Sequence, residues 1–190
     1  MIGVIIGTNR HNSISKKIGL YYKQLLESLG AESQIIDLSD LPEDFAFSAL
    51  YHNSGKNELF NEFQKIVDTT TKFVFIVPEY NGSFPGVLKT FLDGLRYPDS
   101  FHYKKAALVG VSSGVQGNAN GLGHLNDVLS YMQTDVLGLR IKLGKIWDYF
   151  DGKDFNPRQT DEINAYTNAK KTADIYKAFL EKQARQLIEL

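Results

Sequence analysis

The sequence predicts an α/β fold with a doubly wound, five-stranded parallel sheet of order 2-1-3-4-5 and helices on both faces. Three observations carry this. Short apolar runs alternate with amphipathic stretches along the chain, and such alternation implies parallel strands joined by right-handed crossovers. The run Phe73-Val74-Phe75-Ile76-Val77 is apolar throughout, as a central strand covered on both faces must be. Five such units fit one domain, spanning residues 1–190, and one domain of that length commonly takes the 2-1-3-4-5 order.

The elements follow in order. Ile2 to Gly7 reads as a buried first strand. Ser13 to Leu29 reads as a helix, with Ile14, Ile18, Tyr21, Tyr22, Leu25 and Leu29 at helical spacing. Gly30 stands where a C-terminal glycine stops a helix. Gln34 to Leu38 is the second strand, followed by a loop with Pro42 and Gly55. Asn57 to Asp68 is helical, with Leu59, Phe60, Phe63, Ile66 and Val67 on one face. Pro85 to Leu95 forms a short helix, proline suiting its first turn. Ala106 to Val111 is the fourth strand. Leu122, Leu125, Val128, Leu129 and Met132 mark the fourth helix. Val136 to Ile141 is the fifth strand, and Thr160 to about Leu187 a long last helix. No internal repeat, linker or low-complexity segment interrupts the pattern.

Composition removes several function classes. The net charge is −1, from 21 basic and 22 acidic side chains, so no basic surface for nucleic-acid phosphates is expected. There is no cysteine, which excludes disulfides, thiolate catalysis, iron–sulfur clusters and cysteine zinc sites. His11, His52, His102 and His124 match no ligand spacing, and no metal site is expected. The apolar N-terminus is too short for a signal peptide, and no run approaches the ~20 residues that span a bilayer. The expected setting is cytoplasmic, with no membrane partner.

In a doubly wound sheet, ligands bind at the carboxyl ends of the strands near the switch in strand order. The loops after strands one, three and four are therefore the candidates. The first runs Gly7-Thr8-Asn9-Arg10-His11-Asn12-Ser13-Ile14-Ser15. It leads into a helix N-terminus, where free backbone N–H groups and the helix dipole favour an anion. Thr8, Ser13 and Ser15 add hydroxyls and Arg10 a guanidinium, all donors suited to phosphate oxygens. It is neither G-x-x-x-x-G-K nor G-x-G-x-x-G. Helix capping by Ser13 alone is the competing reading, and the density of hydroxyls favours phosphate.

The second loop is Pro78-Glu79-Tyr80-Asn81-Gly82-Ser83-Phe84-Pro85-Gly86. Its glycines and prolines impose an unusual backbone path, and Asn81-Gly82 tolerates positive φ. The residues leave two readings open: a platform for a planar heterocycle, with Tyr80 as aromatic surface, or a tight turn with no ligand. The third loop, Ser112-Ser113-Gly114 to Gly121, is small and polar. Gly114 would let a flat ligand approach the backbone.

Together these segments resemble the NAD(P)H-dependent FMN reductases, a family that includes bacterial quinone, chromate and azo-dye reductases. The resemblance rests on Pro78-Glu79-Tyr80-Asn81-Gly82-Ser83 followed by Pro85-Gly86-Val87-Leu88-Lys89 and Leu92-Asp93. The G-T-x-R-x-x-S-x-S loop is similar to the family's G-S-x-R-x-x-S phosphate loop, and Ser-Ser-Gly to its segment after strand four. It covers nearly the whole chain. It implies a flavodoxin-like three-layer sandwich that binds FMN and takes NAD(P)H as co-substrate. It places Thr8, Arg10, Ser13, Ile14 and Ser15 around the phosphate. It places Pro78, Glu79, Tyr80, Asn81 and Gly82 along the ring, and Ser112, Ser113 and Gly114 at its pyrimidine edge. The sequence departs from the family at Thr8, where serine is common, at Asn126, where relatives have arginine, and at Gly94.

The implied activity passes hydride through flavin N5 to a small acceptor: a quinone, azo compound, free flavin or metal oxyanion. The cofactor carries that chemistry, so no catalytic side chain is named. Glu79 is expected to support its turn or a subunit contact, and Lys89 to lie on a solvated helix face. A flavodoxin-type electron carrier and a non-catalytic flavin or nucleotide sensor are the alternatives. The carrier lacks support from any strongly acidic surface. The resemblance also implies a homodimer or homotetramer. The segment Tyr97-Pro98-Asp99-Ser100-Phe101-His102-Tyr103 would serve as interface, pocket wall or ordinary packed loop.

Overall fold

A computed structural model describes residues 1–157, 159 and 162–190. The strands are β1 (Ile2–Ile6), β2 (Ser33–Asp37), β3 (Lys72–Pro78), β4 (Lys105–Val111), β5 (Asp135–Val136) and β6 (Ile141–Leu143). The helices are α1 (Ile14–Ser28), α2 (Phe45–Ser48), α3 (Glu58–Thr69), α4 (Gly86–Gly94), α5 (Ala119–Tyr131), α6 (Ile146–Tyr149) and α7 (Ile163–Glu189). The sheet is parallel, of order β2-β1-β3-β4-β5, as the alternation of elements predicts. Thr160, where the sequence pattern starts the last helix, lies outside the described residues; the helix is seen from Ile163.

Successive strand residues face opposite layers. On β3, Phe73, Phe75 and Val77 enter one core with Phe60, Leu88, Phe91 and Leu125, under α2 to α5. Val74 and Ile76 enter the other with Ile18, Tyr22, Ile146 and Leu180, under α1, α6 and α7. The helix starts obey local rules. Ser13 caps α1 by accepting from the Lys16 N–H at 3.1 Å, and Asn57 caps α3 by accepting from the Phe60 N–H at 2.9 Å. Gly30 follows α1 with φ +82°, and the Ala31 N–H bonds the Leu26 carbonyl across it. Pro85 is the N-cap of α4, one position before its first turn.

The fifth strand departs from the sequence reading. The run from Val136 to Ile141 is not continuous strand. Val136 pairs with Ala106 and Ile141 with Val109, so the edge strand advances five residues while β4 advances three. Residues 137–140 leave the ladder, splitting the strand into β5 and β6. The bulge interrupts the ladder, and the buried Gln183 of α7 bonds there instead. Its amide donates to the Leu108 carbonyl at 3.1 Å and the Leu139 carbonyl at 2.6 Å, and its oxygen accepts from the Tyr22 hydroxyl at 3.1 Å. Gly138 within an apolar run is the sequence sign of such a bulge. No helix among the described residues is long and apolar enough to cross a membrane.

Candidate functional site

Parallel register brings the ends of β1, β3, β4 and β6 to one edge of the sheet. A recess of about 100 Å3 opens there, lined by Thr8, Arg10, Asn12, Ser13, Ile14, Ser15, Pro78, Tyr80 and Trp147. A water's share of liquid is about 30 Å3, so the recess matches a small anion rather than a whole nucleotide. All five residues expected in the first loop line it, as do Pro78 and Tyr80. Arg10 is its one charged lining residue.

The α1 N-terminus forms its floor. Ser13 accepts from the Lys16 N–H, which realises the capping reading and leaves the hydroxyl proton free to donate. The N–H groups of Ile14 and Ser15 belong to the first helical turn and have no intrahelical acceptor. No acidic residue occupies that turn. The Ser15 hydroxyl is fully buried and has no partner. A buried hydroxyl without a hydrogen bond is costly, and this one sits in the lining of an anion-sized recess.

Thr8 is also fully buried, but its hydroxyl is engaged. It lies 2.6 Å from the Tyr80 hydroxyl and accepts from the Arg10 N–H at 3.2 Å. The first and second loops are thereby joined. Outside the recess, Lys16 pairs with the buried Asp37 at 2.7 Å. The hydrogen bond to that carboxylate, and then its charge, raise the lysine above its ordinary pKa.

The second loop is a two-residue turn. Tyr80 and Ser83 exchange backbone hydrogen bonds of 2.9 and 3.0 Å around Asn81 (φ 50°) and Gly82 (φ 75°). Positive φ at both central residues is the geometry that Asn-Gly serves best. The Glu79 carboxylate ties the second loop to the start of α5: it accepts from the Asn118 N–H at 3.2 Å. The Asn118 side chain donates to the carbonyls of Val77 (3.2 Å) and Pro78 (3.0 Å). The Ser83 hydroxyl meets His124 Nδ1 at 2.9 Å. Lys89 pairs with Asp93 on the exposed face of α4.

Ser112, Ser113 and Gly114 lie beside the recess, not in its lining. The Ser112 hydroxyl donates to the Gly114 carbonyl at 2.8 Å and accepts from the Gly117 N–H at 3.0 Å. Ser113 and Gly114 are exposed, and a Cβ on Gly114 would meet only the Ser112 hydroxyl, at 4.0 Å. The loop packs on the turn after β6, where the Lys145 N–H bonds the Gly114 carbonyl at 2.7 Å. A Cβ on Gly144 would stand 2.0 Å from the Val115 carbonyl oxygen, so only glycine admits this approach. The sequence patterns did not single out Asn12, Asn118 or Trp147. Trp147 had one signal, as the chain's only tryptophan, but it follows the strand whose interruption the pattern concealed.

Residues 1–148 match the model of the NADPH-dependent FMN reductases. This chain belongs to that family. Among its relatives is the 2-hydroxy-1,4-benzoquinone reductase of a Burkholderia species, 30% identical over 69% of this chain and 70% of the relative. The FMN-dependent NADPH-azoreductase of Staphylococcus aureus is 27% identical over 66% of this chain and 67% of its own. Among solved structures, the flavoenzyme FerB of Paracoccus denitrificans, an NAD(P)H:(acceptor) oxidoreductase, superposes with a TM-score of 0.66. It shares 24% identity and covers 96% of this chain and 97% of its own. The flavodoxin-like fold of the reductase family is thus the fold of this chain. The family match spans the three loops and ends within α6, whereas α7 lies beyond it.

Proposed function

We propose that the protein is an NAD(P)H-dependent, FMN-containing reductase of small acceptors, quinones foremost. The observation that carries the reading is the recess at the α1 N-terminus. Its buried, unpartnered Ser15 hydroxyl and free first-turn N–H groups fit the phosphate of FMN. Ser13 and Ser15 would donate to that phosphate, Arg10 would neutralise its charge, and Ile14 would supply a backbone N–H. Thr8 acts mainly through Tyr80, holding the two loops together.

The turn of Glu79, Tyr80, Asn81 and Gly82 beyond Pro78 would carry the isoalloxazine ring, with Ser112, Ser113 and Gly114 facing its pyrimidine edge. Bound FMN supplies two-electron chemistry, taking hydride from the nicotinamide and giving it to the acceptor. The chain's own part is to bind, orient and polarise. Exposed backbone at Asn81, Gly82 and Gly114 leaves room for a planar reactant, and no side chain needs to exchange a proton. The quinone preference rests on the named activity of the Burkholderia relative, and azo compounds follow from the staphylococcal one.

Residues 1–190 act as one unit in this reading, since both cores close on a single sheet. A homodimer or homotetramer and a cytoplasmic setting complete it. The groove between α4 and α5, lined by Tyr51, Tyr97 and Tyr131, offers aromatic surface for a second copy. The decisive experiment is the visible spectrum with FMN, followed by anaerobic NADPH or NADH. Flavin bands that bleach with nucleotide and return with benzoquinone support the reductase. Bands that persist point to the carrier or sensor, and no perturbation of added FMN rejects the site. Light scattering that gives a monomer mass with FMN bound rejects the oligomer.

A further inference from the structure

Trp147 stands apart from the rest of its helix. Its neighbour Ile146 and the following Phe150 are buried in the core with Phe155 and Leu180. Tyr149 packs edge-on against Tyr176, whose hydroxyl bonds the Gly144 carbonyl at 3.1 Å. The start of α6 is tied to the third loop as well: the Lys145 N–H bonds Gly114, and the Ile146 N–H bonds the Ser112 carbonyl at 3.2 Å. Trp147 belongs to neither core. It is half exposed and lines the recess together with the residues of the α1 N-terminus. Folding alone does not require so large an apolar side chain there, where it keeps half its surface in water.

Most of the other lining residues carry polar side chains; Ile14 and Pro78 are the aliphatic ones, and Tyr80 is already bonded to Thr8. A phosphate on such donors competes with water for each of them. A large aromatic wall beside it excludes water and strengthens the remaining charge-assisted bonds. The indole also carries one N–H donor and no acceptor, which suits an anion and nothing that donates.

We infer that Trp147 is a cofactor-retention residue: it walls the phosphate end of the bound flavin and slows its release. The inference rests on the FMN reading and adds a residue from α6 to the three loops. It ties retention to the phosphate end, so FMN and riboflavin must respond differently. It also predicts that Trp147 is shielded when a phosphomonoester occupies the recess.

The test compares wild type, Trp147→Phe and Trp147→Ala by flavin-emission titration and stopped-flow release of FMN, with riboflavin titrated in parallel. Thermal melts of the apoproteins check folding. The expected result is FMN affinity at least tenfold weaker in Trp147→Ala, with release correspondingly faster. Trp147→Phe should keep most of the affinity, and riboflavin binding should stay within twofold of wild type. In wild type, ribose 5-phosphate should protect Trp147 emission from acrylamide. Unchanged FMN affinity in Trp147→Ala overturns the inference while leaving the reductase intact. Equal losses for FMN and riboflavin overturn the assignment to the phosphate end. A wild type that binds no FMN overturns the reductase reading itself, a result separable from both.

Discussion

Asn118 is the residue on which the site's backbone most depends, and replacing it has a size that follows from its contacts. The residue is buried, sits at φ 62°, and donates to the carbonyls of Val77 and Pro78. In Asn118→Ala the Pro78 carbonyl loses its donor at a cost of about 1–3 kcal/mol, while the Val77 carbonyl, paired in the β3–β4 ladder, loses only a second donor. The left-handed backbone adds about 1–2 kcal/mol for a residue with a Cβ and no compensating side-chain bond. One gain opposes these: the wild-type Oδ1 is buried without a partner, and its removal returns about 1–3 kcal/mol. The net loss is about 2 kcal/mol. Asn118→Gly suffers the same loss of bonds without the backbone strain, and its extra unfolded-state freedom returns only part of that advantage. It should be roughly 1 kcal/mol more stable than the alanine variant. Equilibrium urea unfolding, followed by far-ultraviolet circular dichroism and by Trp147 emission, measures both. Coincident curves justify the two-state treatment. An alanine variant within 0.5 kcal/mol of wild type (about the limit for surface substitutions) would refute the role of the two bonds. A glycine variant less stable than alanine would refute the role of the left-handed backbone.

Three further outcomes follow from the same geometry. Gln183→Leu strands the Leu139 carbonyl and the Tyr22 hydroxyl and takes a second donor from Leu108, which stays in the β4–β6 ladder; it should destabilise by about 2–4 kcal/mol, and adding Tyr22→Phe should cost less than the sum of the single changes, as chemical denaturation of the double-mutant cycle would show. Lys16→Gln removes the pair with Asp37; because the lysine is 39% exposed, solvent screening holds its contribution to about 1 kcal/mol. The folded-state pKa of Lys16 is raised, so that stability is complete below about pH 10.4, the free lysine value, and fades as pH rises through the folded value. Unfolding of wild type and variant at pH 7 and pH 11 should show the gap close. Gly144→Ala places a Cβ 2.0 Å from the Val115 carbonyl oxygen, so the third loop must shift, and FMN titration should show affinity at least tenfold weaker with the fold retained.

Much of the architecture was legible because the relevant signals are local. Phe73 to Val77 announced a central strand by being apolar on both faces, and Ser13, Asn57 and Gly30 marked helix ends with residues chosen for capping. The fifth strand was misjudged because Val136 to Ile141 is mostly apolar in sequence, while its two-residue bulge is bonded by Gln183 from 44 positions away. The site divides the same way. Ser15 and the Asn81-Gly82 turn could be found from residue type and position. Trp147 and Asn118 could not, because each acts across a gap that only the sheet closes. Thr8 shows a third case: the hydroxyl was noticed, but its partner is Tyr80, 72 residues on.

Those distant contacts form a closed circuit. Thr8 joins the first loop to Tyr80 in the second, Glu79 joins the second to Asn118 at the end of the third, and Gly114 joins the third to Lys145. Two residues past Lys145, Trp147 returns to the recess that Thr8 helps to line. Each link is a hydrogen bond or wall contact within the chain itself, so the loops brace one another. Ordering loops on binding costs affinity, and pre-set donors act without reorganisation as charge develops. A circuit of this kind also makes its members interdependent. Tyr80→Phe, which removes only a hydroxyl remote from Trp147 along the chain, should therefore weaken FMN retention, and its effect combined with Trp147→Ala should fall short of the product of the two.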